Sequence, residues 1–290
     1  MPGTVGDDAG RKQMPVVTVL WALALLTAVS TSLLWSGSVS YGLAHNDLEL
    51  AGINAMVEAG VNLAVDGMLD PTPDHRWPTN GRPHDATFDG TPIKITIQDE
   101  LGKIDLNQAD ISLLISLLQS AGLDADAANT MAEKIVDWRI ATPLKHLNGA
   151  KDRDYAARDS AYRPRNGPFQ SVDELLLVMD MTPELFRKIA LALTVYSGRQ
   201  FVDPQVASPE VLRVMPGMTP QAVDAALAAR QNRRPIMDAL AGDALAYMRG
   251  RAFTIRSEFA RSSRAIVADV TIRLTENPNQ PYWVLNWRLK

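Results

Sequence analysis

The sequence contains no cysteine. This absence excludes disulfide bonds, thiol catalysis and zinc sites with cysteine ligands. A chain of this kind that is exported must be held together by its hydrophobic core, by oligomerisation or by a metal ion. Hydrophobic residues make up 46% of the 290 residues, which is enough for a sizeable core.

Catalytic patterns and an excess of positive charge are also missing. The 4 histidines are scattered, and neither HExxH nor GxSxG occurs. We therefore expect no enzymatic activity. Lys and Arg number 29 against 33 Asp and Glu, for a net charge of −4. This balance gives no electrostatic reason to expect a polyanion as partner.

One long apolar run is present near the N-terminus. Residues 14–35 read MPVVTVLWALALLTAVSTSLLW and include no charged residue. As a helix, this run would span roughly 33 Å, enough to cross a membrane core of about 30 Å. Arg11 and Lys12 precede it and form the cationic flank that stays in the cytoplasm. A cleavable secretory signal is the alternative, which the length of the run disfavours.

The helical pattern continues beyond the apolar run. Residues 38–69 contain no proline, and their apolar residues recur at intervals of two to four. This spacing is typical of an amphipathic helix. We predict a leader over residues 1–13 and one membrane and stalk helix over residues 14–69.

The remaining sequence combines strand patterns with a long helical region. Five prolines in residues 70–92 predict an exposed connector. Residues 93–98 alternate apolar and polar side chains, and we predict that this strand forms a hairpin with residues 103–106. Three more strands are predicted at 254–260, 265–274 and 282–289. Together these patterns predict an α+β fold in which an antiparallel sheet packs on the long helix.

The region between the two sets of strands, residues 107–247, is predicted to be helical. It contains three similar pairs of capped helices joined by tight turns, a plan that resembles helix-hairpin-helix units. Such units bind DNA only when the turn offers backbone N–H groups and nearby cations to a phosphate. Here the turns SAGLDAD and VMDMTPE carry acids, and the region has no surplus of basic residues. We therefore expect a packing scaffold.

Four stretches resemble the GspK family, the K-type minor pseudopilins of type II secretion. They are DELGKIDLN (99–107), YRPRNGPFQSVDELLLV (162–178), MTPELF (181–186) and PYWVLNWR (281–288). The resemblance implies a pilin-like α/β body, formed by residues 70–106 and 248–290. It also implies a large all-α insertion of the helix-hairpin-helix or SAM-like type over residues 107–247.

The N-terminal helix resembles the type IV pilin class, with two departures at its start. Pilin-like leaders end in Gly immediately before the apolar run and carry Glu at the fifth position after it. Here Gln13 and Met14 form the junction, and Thr18 stands at the fifth position. The missing Glu fits the GspK family, whereas the missing Gly departs from the pattern that a prepilin peptidase cuts.

The resemblance also implies a function. Members of this family are non-enzymatic subunits at the tip of the pseudopilus, where they join minor pseudopilins of the I and J types and support protein export across the outer membrane. We therefore expect a single-pass inner-membrane protein with its C-terminal body in the periplasm. The alternatives are a membrane-anchored helix-hairpin-helix DNA-binding protein of the competence type, and a periplasmic domain on a signal anchor without a fibre.

A calcium site is the chemical hypothesis that the sequence favours. Calcium binds several oxygen ligands, usually from clustered carboxylates. Such carboxylates occur at Asp152, Asp154, Asp159, Asp173 and Glu174. Family members carry calcium in this helical domain, so the resemblance implies Asp152, Asp154 and Glu174 as ligands. In the alternative, these acids form a solvated face paired with Arg153 and Arg158, and Glu174 caps a helix.

Overall fold

The computed structural model describes residues 10–232, 248–261, 264–277 and 279–290. The chain divides into two compact units, Met1–Met56 and Val57–Lys290. The predicted leader lies outside the described residues up to residue 9. The predicted end of the helical region, residues 233–247, lies outside them as well.

Helix α1 spans Gly10–Leu69 and ends where the sequence predicted. In the first unit, the side chains of Val16–Thr31 form an exposed apolar stretch. The described stretch that is long and apolar enough to cross a membrane is Asn46–Leu69, and 39% of its most apolar 18 residues are buried. From residue 57 onward α1 buries one side within the second unit, so this half belongs to the core. The membrane anchor over residues 14–35 stays a prediction.

Five strands form an antiparallel sheet in the second unit. In sheet order they are β1 (Asn80–Phe88), β2 (Thr91–Asp99), β5 (Ala252–Arg261), β6 (Arg264–Asn277) and β7 (Gln280–Leu289). A separate parallel pair joins β3 (Ile104–Asp105) to β4 (Leu193–Thr194). The predicted α+β class is confirmed, and β5 to β7 include the three strands predicted near the C-terminus. Residues 100–251 separate β2 from β5 in the chain, although the two strands are neighbours in the sheet.

The two faces of the sheet differ in polarity. One face is apolar, because alternate residues of three strands are fully buried: Ile93, Ile95 and Ile97 in β2, Phe253 and Ile255 in β5, and Val270 and Ile272 in β6. Helix α1 contacts this face, where the Tyr282 hydroxyl donates to Asn62 Oδ1 at 2.8 Å. Burying each large apolar side chain stabilises the fold by about 1.5–3 kcal/mol.

The predicted hairpin between residues 93 and 106 is wrong. Strand β2 pairs with β1, whereas β3 pairs with β4. The hairpin turn is Asp89–Gly90, with φ of 47° and 72°, the left-handed conformation that two-residue hairpin turns require. The edge position of β1 and an irregularity between Asn80 and Pro83 accommodate the proline that had disfavoured a strand. Part of the predicted connector is therefore a strand.

The helical segment between β3 and β5 contains six described α-helices: α2 (Ile111–Ser120), α3 (Ala125–Arg139), α4 (Asp152–Ala157), α5 (Pro183–Ile189), α6 (Pro209–Val214) and α7 (Pro220–Asn232). Side-chain oxygens of Asp124, Thr182 and Ser208 accept N–H groups at the first turns of α3, α5 and α6. Four leucines on one side of α2 are buried: Leu113, Leu114, Leu117 and Leu118. Within the region predicted to be helical, Val172–Leu177 forms a 3₁₀-helix rather than an α-helix.

Residues 99–107, here called the corner segment, connect the sheet to the helical segment. On the sheet side, Asp99 pairs with Arg251, and the Thr254 hydroxyl donates to Glu100 at 2.6 Å. Both carboxylates are buried. Burial raises the pKa of Asp99 to about 6, although Arg251 and the Leu101 N–H favour the ionised form.

The other end of the corner segment holds the helical segment. The buried Asp105 carboxylate accepts the Ser197 hydroxyl at 3.0 Å and the Gly198 N–H at 2.8 Å. At the middle, Gly102 lies so close to the chain at Val206 that an added Cβ would stand 2.3 Å from the Val206 carbonyl oxygen. The corner segment thus makes close polar and steric contacts over its whole length.

Replacing Gly102 by alanine should destabilise the protein by about 1–3 kcal/mol, because backbone rather than a movable side chain opposes the new methyl group. Gly167→Ala is the matched control, since its added Cβ would meet nothing closer than 3.8 Å. Urea unfolding of the detergent-solubilised chain, followed by tryptophan fluorescence, measures both. Equal stability of the two variants would contradict this account of the corner.

Candidate functional site

Two of the predicted calcium ligands lie on α4 and have partners within the protein. Asp154 accepts Lys145 Nζ at 2.6 Å and the Lys151 N–H at 2.9 Å. These hydrogen bonds, that from Lys145 first, hold the pKa of Asp154 below its ordinary value. Asp152 accepts the Asn166 side-chain amide at 3.3 Å. Asp154 therefore acts as the cap of α4 as well as an ion-pair partner.

The other three predicted ligands lie apart from α4 or at its end. Glu174 accepts two hydrogen bonds from Arg165, at 2.8 and 2.7 Å, and one from the Gln170 N–H at 3.1 Å. Asp173 pairs with Arg288 of β7. Asp159 follows α4 with a positive φ of 51°. These three acids therefore lie in three different local environments and do not share a common partner.

The five carboxylates do not fit one calcium site as the structure places them. Within the described ranges, no group of three or more His, Asp or Glu side chains is arranged to hold a metal ion. The ion pairs agree in part with the alternative of a charge-paired face, although Glu174 pairs with Arg165 and Arg158 pairs with Asp180. Calcium at these residues stays a prediction.

Sequence reasoning missed a buried polar cluster at the end of α3. The Asp137 carboxylate is fully buried and accepts His146 through its N–H at 3.1 Å and its Nδ1 at 2.7 Å. The Lys151 ammonium is also buried and donates to the carbonyl oxygens of Asp137 and Ile140. The only available signal was the polar ending of a helix whose other face is apolar.

Aromatic side chains pack beside this cluster and fix α4 to α3. Trp138 stacks on Phe169 with ring centroids 6.0 Å apart, and Tyr155 of α4 lies 6.0 Å from Trp138 on another side. The Tyr155 hydroxyl accepts the Met179 N–H at 2.8 Å, and burial raises the pKa of Tyr155 to about 12. Trp138 is itself buried and belongs to the hydrophobic core of the helical segment.

The turn of the second predicted helix-hairpin-helix unit contains Asp180. This carboxylate accepts Lys134 Nζ at 2.5 Å and also pairs with Arg158. Burial raises the pKa of Asp180, but the two cations outweigh that effect and hold the pKa below its ordinary value. The basic groups nearest this turn therefore face a carboxylate, which is unfavourable for phosphate binding.

Strand β7 exposes large apolar side chains at the end of the sheet. Val284, Trp287 and Leu289, here called the β7 patch, are 50%, 39% and 40% exposed. Their partners in β6 are Ile272, Val270 and Ala268, so the patch lies on the apolar face of the sheet. Trp283 is 61% exposed but pairs with Arg273, on the opposite face. Among the described residues β7 has one neighbour in the sheet, β6, so its other edge is available for pairing. Exposed aromatic residues beside such an edge are typical of a protein–protein contact.

The predicted assembly residues lie in α1. Gln13 and Met14 fall within the helix, and Thr18 is exposed on it. A cut between Gln13 and Met14, and the role of Thr18 at the fifth position, stay predictions.

Two of the stretches singled out in the sequence meet at Asn107. Its side-chain amide donates to the Phe169 carbonyl oxygen at 3.0 Å, and its Oδ1 accepts the Phe169 N–H at 2.7 Å. This pair of hydrogen bonds joins DELGKIDLN to YRPRNGPFQSVDELLLV across 62 residues of chain. Their spacing in the sequence therefore reflects one contact in the fold.

Residues 97–198, which include both stretches, match the family model described as type II secretion system (T2SS), protein K. No curated protein matches the chain. Among solved structures, the chain is similar to one chain in the crystal structure of the GspK-GspI-GspJ complex from the type 2 secretion system of enterotoxigenic Escherichia coli. The TM-score is 0.60 at 16% identity, over 85% of this chain and 99% of that one. At this identity the likeness shows a shared fold.

Asn107→Asp should destabilise the protein by about 1–3 kcal/mol, because the variant loses the donor to Phe169 and leaves that half-buried carbonyl oxygen without its partner. Asn279→Asp makes the same chemical change at an exposed position and serves as control. Thermal unfolding at pH 7 measures the difference. An Asn107→Asp chain as stable as the control would show that this bridge contributes little.

Proposed function

We propose that this chain is a member of the type II secretion system protein K family, because residues 97–198 match the model of that family. We also propose that it is a non-enzymatic minor pseudopilin at the tip of the pseudopilus. In this role it supports protein export across the outer membrane. The match of residues 97–198 is the observation that carries the proposal. The proposal is also supported by the fold that the chain shares with one chain of the GspK-GspI-GspJ complex.

The proposed location is the inner membrane, with a single pass and the C-terminal body in the periplasm. The uncharged residues 14–35 supply the span, and Arg11 and Lys12 keep the N-terminus in the cytoplasm. The absence of cysteine means that the periplasmic body needs no oxidation to fold.

The proposed partners are minor pseudopilins of the I and J types. The similar solved structure is a complex of GspK with GspI and GspJ. We assign the β7 patch of this chain to a contact with one of these partners, since the patch combines exposed apolar side chains with a strand edge that has no neighbour among the described residues. The partner would cover the apolar side chains and add its own backbone to the edge.

The proposed tip position rests on two features of the chain. Thr18 stands where other pilin-like helices carry the glutamate that is thought to recruit the next subunit, so this chain can begin a fibre without extending one. The segment between β2 and β5, which we interpret as an insertion, adds a bulky helical body to the sheet. That body would prevent another subunit from stacking above it.

Val284→Asp should weaken binding to the I and J partners by roughly 30-fold, because a charge would be buried at the centre of the contact. Phe201→Asp is the matched control, since Phe201 is also exposed but lies in the helical segment. Co-purification from membranes that contain all three proteins measures recovery. Equal recovery with both variants would remove the β7 patch from the proposal while leaving the family assignment intact.

Thr18→Glu should leave the complex with the I and J partners within about twofold of its normal yield, because the proposed tip subunit has no subunit above it to recruit. Thr27→Glu is the comparison, since a carboxylate in the middle of the apolar run costs about 2.5–3.5 kcal/mol on insertion. Loss of the complex with Thr18→Glu alone would count against the tip position.

The two alternative functions give different results in the same preparations. A DNA-binding protein would bind duplex DNA at physiological salt, which the carboxylate beside Lys134 and Arg158 disfavours. A plain anchored domain would insert into the membrane and recover no pseudopilin partner.

A further inference from the structure

The Lys151 side chain occupies a cage of oxygen atoms at the end of α3. It is only 7% exposed. Its ammonium donates to the carbonyl oxygens of Asp137 and Ile140, both at 2.5 Å, and to Asn166 Oδ1 at 3.1 Å. An ammonium has three N–H donors, so each donor has one acceptor here.

The position of this cage explains why a cation is required. The last carbonyl groups of a helix have no partner within the helix and carry its partial negative charge. Asp137 belongs to the last turn of α3, and Ile140 is its C-cap. Burial lowers the pKa of Lys151, whereas the carboxylates of Asp137 and Asp152 raise it. The ammonium therefore lies among neutral and negative oxygen groups.

The same oxygen groups would suit a divalent cation. Backbone carbonyls, an asparagine oxygen and aspartate carboxylates are the ligands that Ca²⁺ takes in proteins. Asn166 links the two sets, because its Oδ1 accepts Lys151 and its amide donates to Asp152. In this chain a lysine side chain fills the place that an ion would take.

We propose that the Lys151 ammonium is the built-in cation of the helical segment, which closes residues 140–166 onto the end of α3 in place of a divalent metal ion. The inference concerns this chain's own residues and does not depend on the proposed function. Because the Lys151 ammonium already supplies a positive charge to this loop, the predicted calcium ligands beside the loop are free to form separate ion pairs. The loop also holds Leu144 and Leu147 outward, 78% and 90% exposed.

The test is thermal unfolding of the full-length chain in detergent, in EGTA and in excess CaCl₂. The native chain should unfold at the same temperature in both. Lys151→Met should lower Tm by about 5 °C or more, because it removes the charge and leaves the buried Asp137 carbonyl and the part-buried Ile140 carbonyl without this donor. Lys145→Met is the matched control and should lower Tm by less than about 2 °C, because the Lys145–Asp154 pair is largely exposed.

A second measurement covers the case in which Lys151→Met does not fold. Asn166→Gly keeps the positive φ of 52° and removes one oxygen of the cage. It should increase the rate at which chymotrypsin cuts after Leu144 and Leu147, equally in EGTA and in CaCl₂. A native chain that CaCl₂ stabilises by roughly 5 °C or more would overturn the proposal and favour calcium at the five carboxylates. A cutting rate that changes with calcium but not with the Asn166→Gly substitution would also overturn the proposal.

Discussion

The structure of the second unit depends on one constraint, the attachment of two different bodies to the nine residues of the corner segment. Asp99 and Glu100 hold the sheet through Arg251 and Thr254, and Asp105 holds the helical segment through Ser197 and Gly198. Since buried carboxylates are costly without partners, each fixes the position of the groups that it accepts. The corner therefore sets the path of the chain from sheet to helices.

Charge pairing is the second theme of the molecule. The polar face of the sheet reaches the helical segment through hydrogen bonds: Arg288 pairs with Asp173, and the Gln98 side chain donates to the Val206 carbonyl oxygen at 2.7 Å. Most of these groups are partly exposed, so each contributes little to stability but helps to fix orientation. The apolar face, by contrast, packs against the part of α1 from residue 57 onward, except at β7, where its side chains are exposed. The sheet thus joins a hydrophobic contact on one side to a directional polar contact on the other.

The sequence predicted the elements whose signals are local. The alternation of apolar and polar residues predicted β5 to β7. Capping residues such as Thr182 mark where helices start. The pairing of the strands was harder to predict. The prolines of β1 disfavoured a strand there, although Asp89–Gly90 is typical of a hairpin turn. Strand β3 pairs with β4, which lies about ninety residues away in the chain. The calcium site was predicted from the spacing of carboxylates along the chain. In the structure, ion pairs with Arg165, Arg288 and Lys145 set the positions of Glu174, Asp173 and Asp154.

The separation between β2 and β5 has a consequence for how the protein is made. Asp99 and Arg251, which meet beside these central strands, are 152 residues apart in the chain. Contacts between such distant residues form slowly, because a long loop must close before they contribute. During synthesis the β1–β2 hairpin is complete before β5 and β6 exist, so the edge of β2 that carries Ile93, Ile95 and Ile97 has no strand beside it. An incomplete chain with an exposed apolar strand and an unpaired edge is prone to aggregate, so the late arrival of β5 leaves this protein exposed to misfolding during synthesis.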